Sequence, residues 1–199
     1  VCALIEMTLR GTPYVYQGQE LAMGNVNFNS IDEMNDVQSV NFYKEAVEKG
    51  KDKEKYFKLA AIGSRDNARS PFQWSDSENA GFTTGKPWLK VCDDYRRYNA
   101  EDEASRADSV LNFFKKAIKL RKETKALVYG DFAPAKTNKP PVYCYFREYE
   151  GEKYYVELNL GKTPQPKPTN IYNYDLILST NDNNSDILKP FEGNIYKVK

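Results

Sequence analysis

Residues 65–74 read RDNARSPFQW and place two arginines and one aspartate within five residues. A loop that concentrates charge in this way is typical of a functional site. Arg65 carries a planar guanidinium with five donors, which suits a carboxylate or vicinal sugar hydroxyls, and Asp66 or another acid could hold it in orientation. The alternative is a salt-bridged corner. Residue types alone favour that corner, because structural ion pairs are commoner than sites.

Two neighbouring segments extend this pattern along the chain. Residues 11–25 read GTPYVYQGQELAMGN, and residues 79–88 read NAGFTTGKPW. The first segment resembles the last barrel strand and following loop of the alpha-amylase superfamily of glycoside hydrolases. The second, together with residues 64–74, is similar to the branch that holds oligo-1,6-glucosidases, dextran glucosidases and phosphotrehalases. The resemblance covers essentially the whole chain, strongly to about Tyr129 and in outline beyond it.

This resemblance implies an α/β plus all-β fold. We expect the C-terminal remnant of a TIM (β/α)8 barrel, followed by a small antiparallel β-sandwich domain. Residues 1–128 are predicted as the barrel part, with the last strand, a site loop and covering helices, and residues 129–199 as the β-sheet domain. The change of hydrophobic period near Tyr129, from helical spacing to alternation, supports this boundary.

Periodicity and turn residues predict the individual elements. Largely apolar or helically spaced segments indicate helices, and β-branched, aromatic or alternating runs indicate strands. The predicted helices are residues 2–9, 40–49, 53–62 and 105–123, and the predicted strands are residues 12–17, 142–146 and 153–160. Turn residues dominate residues 63–100. An irregular stretch of this length inside a compact fold is usually a site loop.

The resemblance also implies roles for three side chains. Arg65 matches the family arginine that contacts the sugar in the cleavage subsite. Glu20 follows the predicted strand at its C-terminal end, where barrel enzymes keep their sites, although tying down the next loop is the favoured alternative. Gln38 occupies a position where family members that cut α-1,6 links typically carry glutamate. Glutamine keeps the size and loses the charge, so it would tune the sugar preference, unless it is simply a polar residue that opens a helix.

The parent protein implied by the resemblance is a retaining α-glucosidase of the oligo-1,6-glucosidase type, active in carbohydrate metabolism. Such an enzyme hydrolyses a terminal α-linked glucose from a short oligosaccharide, using two carboxylates about 5 Å apart. In the family these carboxylates belong upstream of the position matching Val1. We therefore assign no catalytic residue in this chain and expect the chain alone to be inactive.

Other interpretations of the chain stay open. The parent could be a phosphotrehalase or a sucrose- or maltose-type α-glucosidase. The chain could instead act only as a carbohydrate-binding module, which requires an exposed aromatic platform. It could also be a structural piece that completes another chain, because an incomplete barrel leaves an open edge through which it could self-associate.

Composition restricts the partners and the setting. The 29 Lys and Arg residues are well mixed with 28 Asp and Glu residues, so no basic face indicates nucleic acid or an anionic membrane. The three cysteines are widely spaced without a CxxC pair, which argues against a disulfide framework or a zinc site and favours a cytoplasmic setting. We expect a small oligosaccharide as the ligand of the intact enzyme, with no cofactor and no metal held by this chain.

Overall fold

The computed structural model describes residues 1–136, 139–168, 173–181 and 185–199. Its packing divides the chain into two compact units. The sheet unit contains Val1–Tyr14 and Phe113–Lys199, and the loop unit contains Val15–Asn112. These are units of packing. The domain boundary that the sequence suggests near residue 129 stays a prediction.

The described residues form six α-helices and seven β-strands, together with short 3-10 helices. The helices are α1 (Cys2–Thr8), α2 (Val37–Glu48), α3 (Lys53–Gly63), α4 (Ala100–Ser105), α5 (Val110–Glu123) and α6 (Lys125–Val128). The strands are β1 (Asp131–Pro134), β2 (Val142–Tyr149), β3 (Glu152–Asn159), β4 (Gln165–Pro166), β5 (Tyr174–Ser179), β6 (Ile187–Leu188) and β7 (Gly193–Val198). The 3-10 helices are Gln19–Leu21, Ile31–Glu33, Arg65–Arg69, Glu78–Gly81 and Asp93–Arg96.

The sheet unit is built on a five-stranded antiparallel sheet in the order β1-β2-β3-β7-β5. Strands β4 and β6 form a separate antiparallel pair. The β2–β3 hairpin turns at Glu150 and Gly151, whose φ angles of 50° and 84° are those of the two-residue turn that matches strand twist. The predicted antiparallel sheet is therefore present. The β-sandwich arrangement stays a prediction.

Both faces of this sheet are covered, and β3 shows the alternation that makes this necessary. Tyr154, Val156 and Leu158 lie in one core cluster with Leu4 of α1 and residues of α6. Tyr155 lies on the other face, in a cluster with Cys144, Tyr196 and Leu188 of β6. Because both faces exclude water, a one-residue slip in register would exchange the two cores, which fixes the pairing.

Two buried arginines donate to backbone carbonyls at the C-terminal end of α1. Arg121 donates to the carbonyls of Met7, Leu9 and Gly11, so one guanidinium satisfies acceptors that the helix end would leave orphaned. Arg147 is fully buried and donates to the carbonyls of Thr8, Gly130 and Asp131. Burial lowers the pKa of both guanidinium groups below the usual arginine value.

Most predicted elements are confirmed, with two corrections. Helices form in all four predicted segments and strands in residues 142–146 and 153–160, although the helix predicted for residues 105–123 begins only at Val110, and Ser105 is the last residue of α4. The strand predicted for residues 12–17 is wrong, since residues 12–16 have no regular secondary structure. A β-strand needs a neighbour for its backbone hydrogen bonds. Within the fully described stretch Val15–Asn112 the structure has no strand that could supply one. No described helix is both long and apolar enough to cross a bilayer.

Candidate functional site

The loop unit places α2 and α3 beside each other through aromatic contacts. The rings of Phe42 and Tyr56 lie 5.4 Å apart, and those of Tyr43 and Phe57 lie 6.4 Å apart. Each helix begins after an aspartate that serves as its N-cap. Asp36 accepts a hydrogen bond from the Gln38 backbone amide, and Asp52 accepts one from that of Lys55.

Asp36 has a second set of partners, and these define the candidate site. Its Oδ1 atom accepts from Nε of Arg65 at 2.9 Å and from Nη2 at 2.6 Å. Its Oδ2 atom accepts from the Arg65 backbone amide at 3.1 Å and from the Ser39 hydroxyl at 2.8 Å. The Asp36 side chain is 2% exposed. Hydrogen bonding by Arg65 holds the pKa of this carboxyl well below its usual range, so it is ionised at neutral pH.

Asp66 does not orient Arg65, although it was one acid predicted for that task. Its Oδ2 atom accepts from the backbone amides of Asn35 and Asp36, at 2.7 and 2.9 Å. Asp66 is 2% exposed. Its two hydrogen bonds fix the backbone that carries Asp36. The sequence analysis did not single out Asp36, because this residue lies 29 positions before Arg65 and four positions before the helix predicted for residues 40–49.

Arg65 keeps much of its guanidinium available. Its side chain is 55% exposed, and only Nε and Nη2 have hydrogen-bond partners in the described parts of the chain. The ion pair raises the pKa of Arg65 above the ordinary arginine value. Since a guanidinium has five N–H bonds and two are used, three remain for a ligand.

Gln38 shares a groove with Arg65. A groove of about 200 Å³ is lined by both residues together with Asp36 and Phe42. The Gln38 side chain is exposed at the first turn of α2. The structure therefore brings together two of the three predicted site residues. The predicted alternative, a polar residue that opens a helix, also describes where Gln38 lies.

Glu20 is not part of this groove. It belongs to the 3-10 helix Gln19–Leu21, and its Oε2 atom is buried without a hydrogen-bond partner among the described residues. The turn there depends instead on Gly18, whose φ is 86° and whose carbonyl accepts from the amides of Leu21 and Met23. A cavity of about 270 Å³ lies beside this turn, but Glu20 is not among its lining residues. The binding role of Glu20 stays a prediction.

Both tryptophans of the loop unit have largely exposed side chains. Trp74 is 55% exposed and contacts the ring of Phe72 at 4.5 Å. Trp88 is 76% exposed and lines a groove of about 650 Å³ with Asn35, Asn79 and Tyr95.

Among the described residues, no group of three or more His, Cys, Asp or Glu side chains could hold a metal ion.

Comparison with known protein families decides the membership of this chain. The family model described as the alpha-amylase catalytic domain matches residues 1–130. The chain belongs to the alpha-amylase family. Oligo-1,6-glucosidase of Bacillus cereus is 39% identical to this alpha-amylase family chain over 203 residues, which cover 96% of the chain and 36% of the relative. Trehalose-6-phosphate hydrolase of Escherichia coli K12 is 38% identical over 164 residues, which cover 82% of this chain and 30% of that relative.

Solved structures place this alpha-amylase family chain in the same group. The trehalulose synthase MutB of Pseudomonas mesoacidophila MX-45 is 38% identical with a TM-score of 0.89, covering 100% of this chain and 37% of that one. The trehalose-6-phosphate hydrolase of Bacillus licheniformis is 34% identical with a TM-score of 0.90, and the match covers 99% of this chain and 38% of that one. The chain thus spans little more than a third of the length of the relatives it matches.

Proposed function

We propose that this chain is the C-terminal part of a retaining α-glucosidase of the oligo-1,6-glucosidase type. The intact protein would hydrolyse a terminal α-linked glucose from a short oligosaccharide in the cytoplasm. Its nucleophile and acid/base carboxylates, about 5 Å apart in retaining enzymes, would be supplied outside this chain, within a barrel that this chain completes. The chain itself would contribute the sugar-binding side of the site and would show no turnover alone.

The exposed Arg65 guanidinium supports this proposal most strongly. Asp36 holds the guanidinium by two of its N–H groups, at 2.9 and 2.6 Å. The remaining donors lie in a fixed plane, which suits adjacent hydroxyls of a sugar ring. A side chain that is already ordered loses little conformational entropy when the sugar binds. The ion pair therefore makes Arg65 a preorganised sugar contact.

Gln38 would act on the sugar at the leaving side. It lines the same groove as Arg65. Its amide can both donate to and accept from a sugar hydroxyl, whereas a carboxylate would only accept. A neutral hydrogen bond contributes about 1 kcal/mol and a charge-assisted one about twice that. The residue would thus adjust the preference among α-1,6-linked, α-1,4-linked and phosphorylated substrates without removing activity.

Substitution of Arg65 by lysine in the full-length protein tests the proposal. R65K keeps the positive charge and removes the planar fork, so we expect kcat/KM for isomaltose to fall about 10- to 100-fold, the equivalent of one charge-assisted hydrogen bond. R10K is the matched control, because Arg10 is also an exposed arginine paired with a carboxylate, that of Asp131 at 3.4 Å. An R65K enzyme as active as R10K would contradict the assigned role of Arg65. A wild-type protein that hydrolyses no α-glucoside would refute the proposed function.

The Trp88 groove favours a second candidate function, binding of carbohydrate without catalysis. An indole that is 76% exposed beside two asparagines offers a stacking face and hydrogen bonds to one sugar. If this groove binds, W88A will abolish quenching of tryptophan fluorescence by isomaltotriose, and W74A will preserve it. Equal quenching in W88A and wild type would exclude the groove as a binding platform.

A further inference from the structure

We propose that Asp36 is a positioning residue that fixes Arg65 relative to Gln38 and so determines the linkage preference of the sugar site. The idea rests on the proposed function for its substrate, but its structural part does not depend on that function. Asp36 would touch no sugar. It would act through the two side chains that do.

The hydrogen bonds of Asp36 join two separate segments of the chain. Its carboxylate accepts from the side chain and the backbone amide of Arg65, at the start of the 3-10 helix that follows α3. The same carboxylate accepts from the backbone amide of Gln38 and the hydroxyl of Ser39, in the first turn of α2. One buried group thus holds both walls of the groove. Because all these donors converge on two oxygen atoms, Arg65 and the first turn of α2 cannot shift independently.

Helix capping alone does not explain this arrangement, as the cap of α3 shows. Asp52 caps α3 with a hydrogen bond from the Lys55 amide at 2.9 Å, and it is exposed. Asp36 is buried and accepts five hydrogen bonds, of which three come from Arg65. Burying a carboxylate is costly unless it is paired and hydrogen-bonded. The guanidinium supplies this pairing, so the two residues form one unit.

A further layer behind Asp36 fixes its backbone. Asp66 accepts from the amides of Asn35 and Asp36, and the hydroxyl of Ser64 accepts from the Asp66 amide at 3.2 Å. Asp66 is adjacent to Arg65 in sequence. The chain therefore closes a small loop of contacts, in which Asp66 holds Asp36 and Asp36 holds Arg65. Such support keeps a binding group within the narrow tolerance that substrate geometry demands.

Asp36→Asn separates positioning from capping. Asparagine is as good an N-cap as aspartate, so α2 is expected to stay folded. The substitution removes the charge and replaces one acceptor by a donor that would face the guanidinium or the Ser39 hydroxyl. In full-length D36N we expect kcat/KM for isomaltose to fall about tenfold. We also expect the isomaltose-to-maltose ratio of kcat/KM to change, whereas D52N should leave both values at wild-type level.

The double variant D36N/R65K shows whether Asp36 acts through Arg65. If it does, the loss in the double variant will be no larger than in R65K, because the two changes remove the same interaction. Multiplicative losses would overturn the proposal, as would an unchanged linkage ratio in D36N. Should D36N fail to fold, D36S takes its place, since serine is also a strong N-cap.

A spectroscopic measurement makes the structural part independent of activity. In ¹⁵N-arginine-labelled full-length protein, the Arg65 Nε–H signal is identified by its loss in R65K. We expect slow exchange of this proton with solvent in wild type and D52N, and rapid exchange in D36N. Unchanged exchange in D36N would refute positioning by Asp36. A protein without glycosidase activity that still shows the change would refute the proposed function and leave Asp36 as the residue that orders Arg65.

Discussion

In the sheet unit Arg147 is fully buried and directs its guanidinium at backbone carbonyls, whereas in the loop unit Arg65 is 55% exposed and is held by a single carboxylate. Burial lowers the pKa of Arg147, and the ion pair raises that of Arg65. The same residue type thus meets two opposite environments in one chain. The surroundings, and not the residue, separate a structural arginine from a candidate binding arginine.

The comparison shows which donors remain for a ligand. Arg147 uses Nε, Nη1 and Nη2 on the carbonyls of Asp131, Thr8 and Gly130, so its guanidinium serves the fold. Arg65 uses Nε and Nη2 on Asp36 and presents the rest to a groove. A binding arginine must be ordered and at the same time unsaturated. Arg65 meets both conditions, and the carboxylate that orders it lies out of solvent.

Removal of the two guanidinium groups should give the largest difference between the units. In R147M three backbone carbonyls, two of them buried, lose a charged donor, so we expect the free energy of unfolding to fall by about 3 kcal/mol. In R65M the carboxylate of Asp36 keeps the Gln38 amide, the backbone amide of residue 65 and the Ser39 hydroxyl, so we expect a smaller loss than in R147M. Urea unfolding followed by circular dichroism measures both values.

Two results would break the comparison between these arginines. Equal destabilisation by R147M and R65M would mean that Arg65 is as structural as Arg147. A stable R147M protein would mean that water replaces the guanidinium at the three carbonyls. As a control, K58A removes the exposed Lys58–Glu54 pair of α3, at 2.6 Å, and should leave the free energy of unfolding nearly unchanged, because solvent screens exposed ion pairs.

The sequence predicted local structure well, because local structure depends on neighbours in the chain. The helical spacing of the apolar residues Phe114 and Ala117 correctly indicates the buried face of α5. Side chains in β2 and β3 point alternately to the two faces of the sheet, and residues on both faces are buried. The strand expected for residues 12–17 failed for the opposite reason. Extended residues become a strand only when another strand accepts their hydrogen bonds, and a sequence pattern does not contain that partner.

The candidate site was only partly accessible from sequence. Arg65 and Gln38 could be named from the resemblance, and they do line one groove. Asp36 could not be recognised, because the helix was predicted to begin only at residue 40, and the N-cap position of Asp36 emerges from the structure. Its second role depends on a contact between residues 29 positions apart. The exposure of Trp88 is likewise not predictable from sequence, since burial is a property of the fold and not of the residue type.

The pH dependence of stability should sharpen the contrast between the units with a smaller effect. Burial raises the pKa of Glu157 in the sheet unit above its ordinary value of 4.5, whereas Arg65 lowers the pKa of Asp36 in the loop unit below its ordinary value of 3.8. Folded Glu157 keeps its proton longer than unfolded Glu157. Its contribution to stability is therefore full below pH 4.5 and is lost as the pH rises towards the folded pKa. The contribution of Asp36 is full above pH 3.8 and is lost as the pH falls.

Two isosteric substitutions should remove these two pH-dependent contributions to stability separately. Glutamine at position 157 mimics the protonated acid, and its oxygen can still accept from Asn194 and the Tyr196 hydroxyl, which lie 3.1 and 2.8 Å from Oε1 of Glu157. We expect the urea midpoint of E157Q to match wild type at low pH and to exceed it above the folded pKa of Glu157. D36N should instead weaken the decline in stability below pH 3.8 and leave the pH dependence due to Glu157 unchanged. If E157Q instead weakened the decline in stability at low pH, Glu157 would be ionised in the folded protein, and the sheet unit would hold a buried carboxylate charge, as the loop unit does at Asp36.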